Sequence, residues 1–125
     1  MRKLVLIAII IFGGYYLVKN LTQSRIDRII DSHPEWKWTI PLEYYLGEFY
    51  SIFGKWEKAI HRFERIVKKY PDDLKWAPRA QYALAKTYDD SGNKKKAIEE
   101  YQKLIDSYPE SDYFDIAKKR ITVLR

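Results

Sequence analysis

An all-α chain, a solenoid of antiparallel helix pairs behind one N-terminal transmembrane helix, is what three observations predict. There is an uncharged apolar run near the start, an internal period close to 38 residues, and apolar residues at helical spacing inside each period. Composition narrows the class further. The 125 residues suit one domain, with 23 basic against 17 acidic side chains for a net charge of +6. The absence of cysteine excludes a disulfide framework, a thiolate metal site, a Cys nucleophile and a lipidated N-terminal Cys. Hydrophobic residues at 46% and aromatics at 16% are too many for a disordered chain.

The first element is the run Leu4 to Val18, without charge, preceded by Arg2 and Lys3 and closed by Lys19. As a helix its fifteen residues would measure roughly 22 Å, short of the ~30 Å hydrocarbon core. The stems of Lys3 and Lys19 can snorkel to extend the span, and Tyr15 and Tyr16 suit an interface. The short basic head predicts a single-pass protein with its head in the cytoplasm and the rest on the periplasmic, extracytoplasmic side. A second reading is a signal peptide, for which Thr22-Gln23-Ser24 is the one tolerable cleavage site. Gly13-Gly14 lies inside the run and loosens it.

Next comes the period. Arg28-Ile29-Ile30-Asp31-Ser32-His33-Pro34, Arg65-Ile66-Val67-Lys68-Lys69-Tyr70-Pro71 and Lys103-Leu104-Ile105-Asp106-Ser107-Tyr108-Pro109 read alike. Leu46 and Leu84, Tyr50 and Tyr88, Gly54 and Gly92, and Ala59 and Ala97 are each 38 apart. Such a period marks units that bury their apolar faces only by stacking. The division is an anchor over 1–20, a half-repeat helix over 21–34, repeats over 35–71 and 72–109, and a capping helix over 110–125.

Within a repeat, the first helix carries the stripe Leu42, Tyr45, Leu46, Phe49, Tyr50 and Phe53, then Ala80, Ala83, Leu84, Thr87 and Tyr88. The second carries Trp56, Ala59, Ile60, Phe63, Ile66, Val67 and Tyr70, then Ala97, Ile98, Tyr101, Leu104, Ile105 and Tyr108. Gly54 and Gly92 are placed to end the first helices in a left-handed conformation, and Pro71 and Pro109 stop the second. Ser24 and Asp27 have capping-box spacing at the start of the half repeat, whose apolar residues are Ile26, Ile29 and Ile30. The final helix, predicted to be capped near Ser111, carries Phe114, Ala117, Ile121 and Leu124 with Lys118, Lys119 and Arg120 between them, as a solvating lid does.

Leu46-Gly47-x-x-Tyr50, Ala59-x-x-x-Phe63 and Pro71, with Leu84-Ala85-x-x-Tyr88, Ala97-x-x-x-Tyr101 and Pro109, resemble the tetratricopeptide repeat over residues 24–125. The position where that family carries Trp is Glu43 in one unit and Gln81 in the other, and the loops after Pro71 and Pro109 are longer. This long-loop form is similar to repeats of bacterial envelope proteins. The resemblance implies binding of a peptide or partner helix on the inner surface of the first helices, lined by Tyr44, Glu48, Ser51, Arg79, Tyr82, Lys86 and Asp89. There Arg79 and Lys86 can meet a partner carboxylate. A plainer role for Tyr44 and Tyr82 is to cover neighbouring helices.

No catalytic set, cofactor or metal site is expected. His33 and His61 lack a second ligand at metal spacing, and Asp72-Asp73 and Asp89-Asp90 read as helix-end carboxylates. No phosphate-binding glycine loop occurs. Basic charge is spread along the chain, and Lys94-Lys95-Lys96 reads as a solvated face, so neither nucleic acid nor a small-molecule substrate is expected. Trp36, Trp38 and Trp76 fall between units, where they pack the longer loops; Trp36 and Trp38 also suit a membrane interface or an adjacent subunit. The sequence thus predicts a membrane-anchored scaffold or adaptor, an accessory subunit or assembly factor that binds other membrane or envelope proteins. The alternative is a soluble exported chaperone-like binder released by cleavage.

Overall fold

A computed structural model describes residues 1–20 and 22–125, the side chains of Leu17 and Val18 excepted. The described residues form helices and turns without strands, in two compact units, Met1–Lys37 and Trp38–Arg125.

The first unit holds α1 (Arg2–Asn20) and α2 (Gln23–Asp31). Leu4 through Phe12 are exposed along α1. Among the described residues no helix is long and apolar enough to cross a membrane; two members of the predicted run, Leu17 and Val18, have side chains outside the described set. Helix α2 buries Ile26 and Ile30 and leaves Ile29 exposed. Its start corrects the predicted capping box. Thr22, with extended backbone, is the N-cap, and its Oγ1 accepts from the Arg25 amide at 3.3 Å, so Ser24 falls inside the first turn. After α2, the Nδ1 of His33 lies 2.9 Å from the Ile29 carbonyl oxygen, and its ring stacks on Trp36 with centroids 3.7 Å apart.

The second unit runs α3 (Thr39–Ile52), α4 (Trp56–Lys69), α5 (Ala77–Asp90), α6 (Lys94–Ser107) and α7 (Phe114–Leu124). Each helix packs on the next, and α3 also touches α5, the contact order of stacked hairpins. Both tight turns are built alike. Gly54 (φ 67°) and Gly92 (φ 88°) are left-handed. Their amides donate to Ser51 and Asp89, and the following amides of Lys55 and Asn93 donate to Tyr50 and Tyr88. That paired bonding satisfies the orphan carbonyls of a helix end, and glycine adopts the conformation without a Cβ clash. At the longer turns, Pro71 and Pro109 follow the last turns of α4 and α6. The Tyr108 hydroxyl donates to the Pro71 carbonyl at 2.6 Å, tying one loop to the other. Asp73 Oδ1 accepts from the amides of Lys75 and Trp76, 3.0 Å each, and starts α5.

Helices α4 to α6 bury the centre of each predicted stripe and leave its flanks, Trp56, Ile60, Val67, Tyr70, Tyr88, Ile98, Ile105 and Tyr108, partly exposed. Ala59, Phe63, Ile66, Ala80, Leu84, Ala97, Tyr101 and Leu104 have almost no exposure. Each large aliphatic or Phe side chain among them is worth about 1.5–3 kcal/mol of burial. Helix α3 differs from expectation. It is apolar over most of its surface, and the side turned inward carries Thr39, Glu43, Tyr44, Gly47 and Tyr50. Of the predicted stripe only Tyr50 is buried, while Tyr45 and Phe53 are about half exposed and Leu42, Leu46 and Phe49 are intermediate. The wall formed by α4 and α5 selects the side with the small Gly47 and with Glu43, which forms a polar pair with Arg62 of α4, over the larger aromatic side.

That polar pair is the main feature hidden in the sequence. Glu43 is 1% and Arg62 0% exposed, and Arg62 Nη1 donates to Glu43 Oε1 at 3.3 Å, with Arg65 Nε on the same oxygen. In the second repeat, 38 residues on, Gln81 and Glu100 occupy the same two positions, also buried. Gln81 Nε2 donates to Glu100 Oε2 at 2.8 Å and to its carbonyl at 2.9 Å, and Lys103, in the register of Arg65, lies 2.9 Å from Glu100. Both hairpins are therefore clasped by a buried polar couple of reversed chemistry, satisfied within the core as burial requires.

Helix α7 begins at Phe114 behind Tyr113, with no side-chain cap. This corrects the predicted cap at Ser111, which serves through its carbonyl, accepting from the Phe114 amide at 3.2 Å. The lid buries Ala117 and Ile121 against the cluster of Ala85, Ala97, Tyr101 and Leu104.

Candidate functional site

Tyr44, Glu48 and Ser51 recur every three or four residues on α3, and Tyr82, Lys86 and Asp89 repeat them 38 positions later on α5, with Arg79 one turn earlier. Helical spacing puts each trio on one face. Two groups result.

The first surrounds Arg79. Its guanidinium lies over the rings of Tyr44 (4.5 Å), Trp76 (5.2 Å) and Tyr45 (5.9 Å). These distances suit cation–π attraction, worth ~0.5–1 kcal/mol at exposed sites and more when desolvated. Tyr44 is buried, and its ring also meets Phe63 at 5.7 Å. Burial pushes its phenol up to about 12, with Glu48 adding to the rise and the hydrogen bond from Arg79 opposing it. The same hydrogen bond holds Arg79 more firmly charged.

The second group is ordered around Tyr82, which stacks on Tyr113 at 5.0 Å and 20° and meets Tyr101 at 6.0 Å. Burial raises the Tyr82 phenol, helped by Asp89 and Asp90 and opposed by Lys86. Lys86 Nζ pairs with Asp90 at 2.8 Å on the surface, where such a bridge contributes little. Ser51 Oγ lies 3.4 Å from Thr87 Oγ1. Asp89 is drawn into the core: Arg120 Nη2 donates to its Oδ1 at 3.0 Å, Arg120 Nε reaches Oδ2, and the Tyr101 hydroxyl donates to Oδ2 at 3.2 Å. It is a latch holding α7 on α5 and α6.

The structure therefore brings Tyr44, Glu48 and Arg79 together, sets Tyr82 and Lys86 beside them along the same face, and ties Asp89 into the lid. Trp76 and Tyr113, each the residue just before a first-type helix, pack on Tyr44 and Tyr82 respectively. Sequence reasoning treated Trp76 as loop filling and passed over Tyr113. The signal was their shared place after a Tyr-Pro loop. Beside Arg79 those loops leave a cleft of about 350 Å³, also lined by Leu74, Lys75, Pro78, Asp112 and Tyr113.

Asp89 carries a pH prediction. Arg120 holds its carboxyl below the usual carboxylate value of 3.8, against the opposing effect of burial. A folded value below the unfolded one means the latch contributes fully above about pH 4 and fades as pH falls through the folded value. Asp89→Asn is expected to cost about 1–2 kcal/mol, since Arg120 is partly solvated. It also removes that part of the acid-side slope and speeds amide exchange in α7; urea unfolding across pH 2–7 checks it.

Two hairpins with a buried clasp, an aromatic-lined cationic inner face and a closing helix define a helical-repeat interaction scaffold. The model of the tetratricopeptide repeat matches residues 44–121, and the chain belongs to that family, generally a non-catalytic module for protein–protein interaction. Comparison with curated proteins finds no matching relative.

Proposed function

We propose that this protein is a membrane-tethered adaptor, an accessory subunit or assembly factor of a membrane or envelope complex, whose repeat unit lies on the extracytoplasmic side. The inner face of α3 and α5 binds a segment of the partner. The observation that carries the binding reading is Arg79, a cation framed by Tyr44, Tyr45 and Trp76 beside a cleft. Rigid aromatic area around one charged donor is the composition of a binding hot spot. The tether reading draws on the uncharged run Leu4 to Val18 and on the exposed side chains of Leu4 through Phe12, bounded by Lys3 and Lys19.

Purified through a tag in mild detergent, the full chain is expected to bring down a specific partner. Arg79→Ala with Tyr82→Ala abolishes that capture while circular dichroism stays unchanged; undiminished capture would refute the inner-face reading. N-terminal sequencing of the mature protein separates the tether from a released binder: an intact Met1 or Arg2 supports the tether, and a start at Arg25 the exported soluble form.

A further inference from the structure

The cleft beside Arg79 does not end there. Past Leu74, Pro78, Glu110 and Ser111, which line both parts, it continues into a second chamber of about 390 Å³ bounded by Tyr108 and Pro109. These six residues all belong to the second unit, and none is among the rings that frame Arg79. The chamber lies between the two Tyr-Pro loops, which the bond from the Tyr108 hydroxyl to the Pro71 carbonyl ties together. Its walls are therefore in place before anything binds, and its size is that of a ligand site.

Three properties of the chamber define what fits it. Leu74, Pro78, Tyr108 and Pro109 make the wall mainly apolar, yet Leu74 is 80% exposed, the highest value among the large apolar side chains of the second unit. Ser111 Oγ is buried without a hydrogen-bond partner, the one such side-chain atom among the described residues. Displaced from the cap of α7, this hydroxyl satisfies nothing in the fold, a condition that buried polar groups ordinarily avoid. The third property is charge. Residues 106–117 hold four carboxylates, Asp106, Glu110, Asp112 and Asp115, and no Lys or Arg. All four are exposed, and among the described residues none is held in a salt bridge. In a chain of net charge +6 this edge is locally acidic.

We infer that the chamber binds a short basic segment of a partner chain. One large apolar side chain of that segment sits against Leu74, Pro78 and Pro109, a backbone group supplies the bond Ser111 Oγ lacks, and flanking Lys or Arg side chains face Glu110. The acidic rim repels nucleic acid and anionic headgroups, and a purely apolar occupant would leave the hydroxyl unpaired. The site is separate from the inner face, because neither Arg79 nor Tyr82 lines the chamber.

The probe is the blocked peptide acetyl-Lys-Phe-Lys-amide, titrated into the full chain in non-ionic detergent and followed by amide NMR. Saturable shifts are expected at Leu74 and over residues 107–111. Binding is expected to be at least ~10-fold weaker for acetyl-Lys-Ala-Lys-amide, which lacks the ring, and for acetyl-Glu-Phe-Glu-amide, which reverses the charge. Leu74→Ser and Glu110→Lys, both at exposed positions, are expected to weaken it by ~10-fold. Ser111→Ala separates binding from structure: removing a hydroxyl without a partner leaves the free chain at least as stable in urea, while affinity for the peptide falls by ~3–10-fold. Absence of a saturable shift, equal binding of the acidic peptide, or indifference to both Leu74→Ser and Ser111→Ala overturns the proposal. Loss of peptide binding in Arg79→Ala with Tyr82→Ala also overturns it, because the peptide then occupies the inner face. Partner capture judges that inner-face reading on its own, so either can fail while the other stands.

Discussion

Glu43→Leu is expected to cost about 3–5 kcal/mol, because it strips the carboxylate from a fully buried guanidinium. Arg62 is 0% exposed and Arg65 only slightly more open, and both direct NH groups at Glu43 Oε1. The second repeat supplies a way to separate this electrostatic loss from lost packing. Gln81 and Glu100 stand in the registers of Glu43 and Arg62, and Lys103 stands in that of Arg65. The double variant Glu43→Gln with Arg62→Glu therefore rebuilds the second repeat's couple in the first, with Arg65 positioned to neutralise the new carboxylate. Arg62→Glu alone sets two carboxylates side by side in the core and is expected to match or exceed the loss in Glu43→Leu. Combined with Glu43→Gln, more than half of that loss returns, a strong departure from additivity for residues in one network. Urea unfolding of the parent, the single variants Glu43→Gln and Arg62→Glu, and the double variant measures it. Additive effects would mean that the two clasps are not interchangeable and that the shared register is incidental.

The same clasp explains how far the sequence could be read. The 38-residue step, the left-handed glycines and the Tyr-Pro stops each follow from a residue whose backbone preference is local, so Gly54, Gly92, Pro71 and Pro109 sit at turns or just beyond helix ends as their chemistry dictates. On α4 to α6, polar residues occupy most of one side, and the apolar spacing identifies the core. On α3 apolar residues occupy nearly every direction, and spacing alone cannot say which side faces inward. The choice depends on the shape and polarity of α4, through Phe63 and Arg62, and that information is tertiary. Charged residues such as Glu43 and Arg62 read as solvated until a partner is known. The trace they leave is that both repeats replace the family's Trp with a hydrogen-bonding side chain at the same register. The inner-face positions Tyr44, Glu48, Tyr82 and Lys86 came from the resemblance to the repeat family; helical geometry says only that residues at this spacing share one side of their helix. The fate of Asp89 was not legible, because its partner Arg120 lies 31 residues away on the lid.

Gly47 and Phe63 give the second large effect, one whose sign depends on background. A Cβ built at Gly47 comes within 2.5 and 2.7 Å of Phe63 Cε1 and Cζ. The ring is fully buried between α3 and its neighbours and cannot step aside without moving other core atoms. Alanine is the better helix former by about 1 kcal/mol, yet overpacking of this kind costs about 1–3 kcal/mol. Gly47→Ala is therefore expected to be destabilising overall. Phe63→Ala removes the ring and is expected to cost about 3–5 kcal/mol as a core cavity. In that background the obstruction is gone, so the same Gly47→Ala change gains helix propensity and fills part of the void, about 1–2 kcal/mol in the stabilising direction. The second repeat already tolerates a methyl here: Ala85, in the register of Gly47, is buried alongside Tyr101, in the register of Phe63. There the ring is held by its hydroxyl bond to Asp89, an anchor that phenylalanine lacks. Thermal unfolding of the two single variants and the double variant decides it. If Gly47→Ala destabilises equally with and without the Phe63 ring, close approach to that ring is not what keeps glycine at this position.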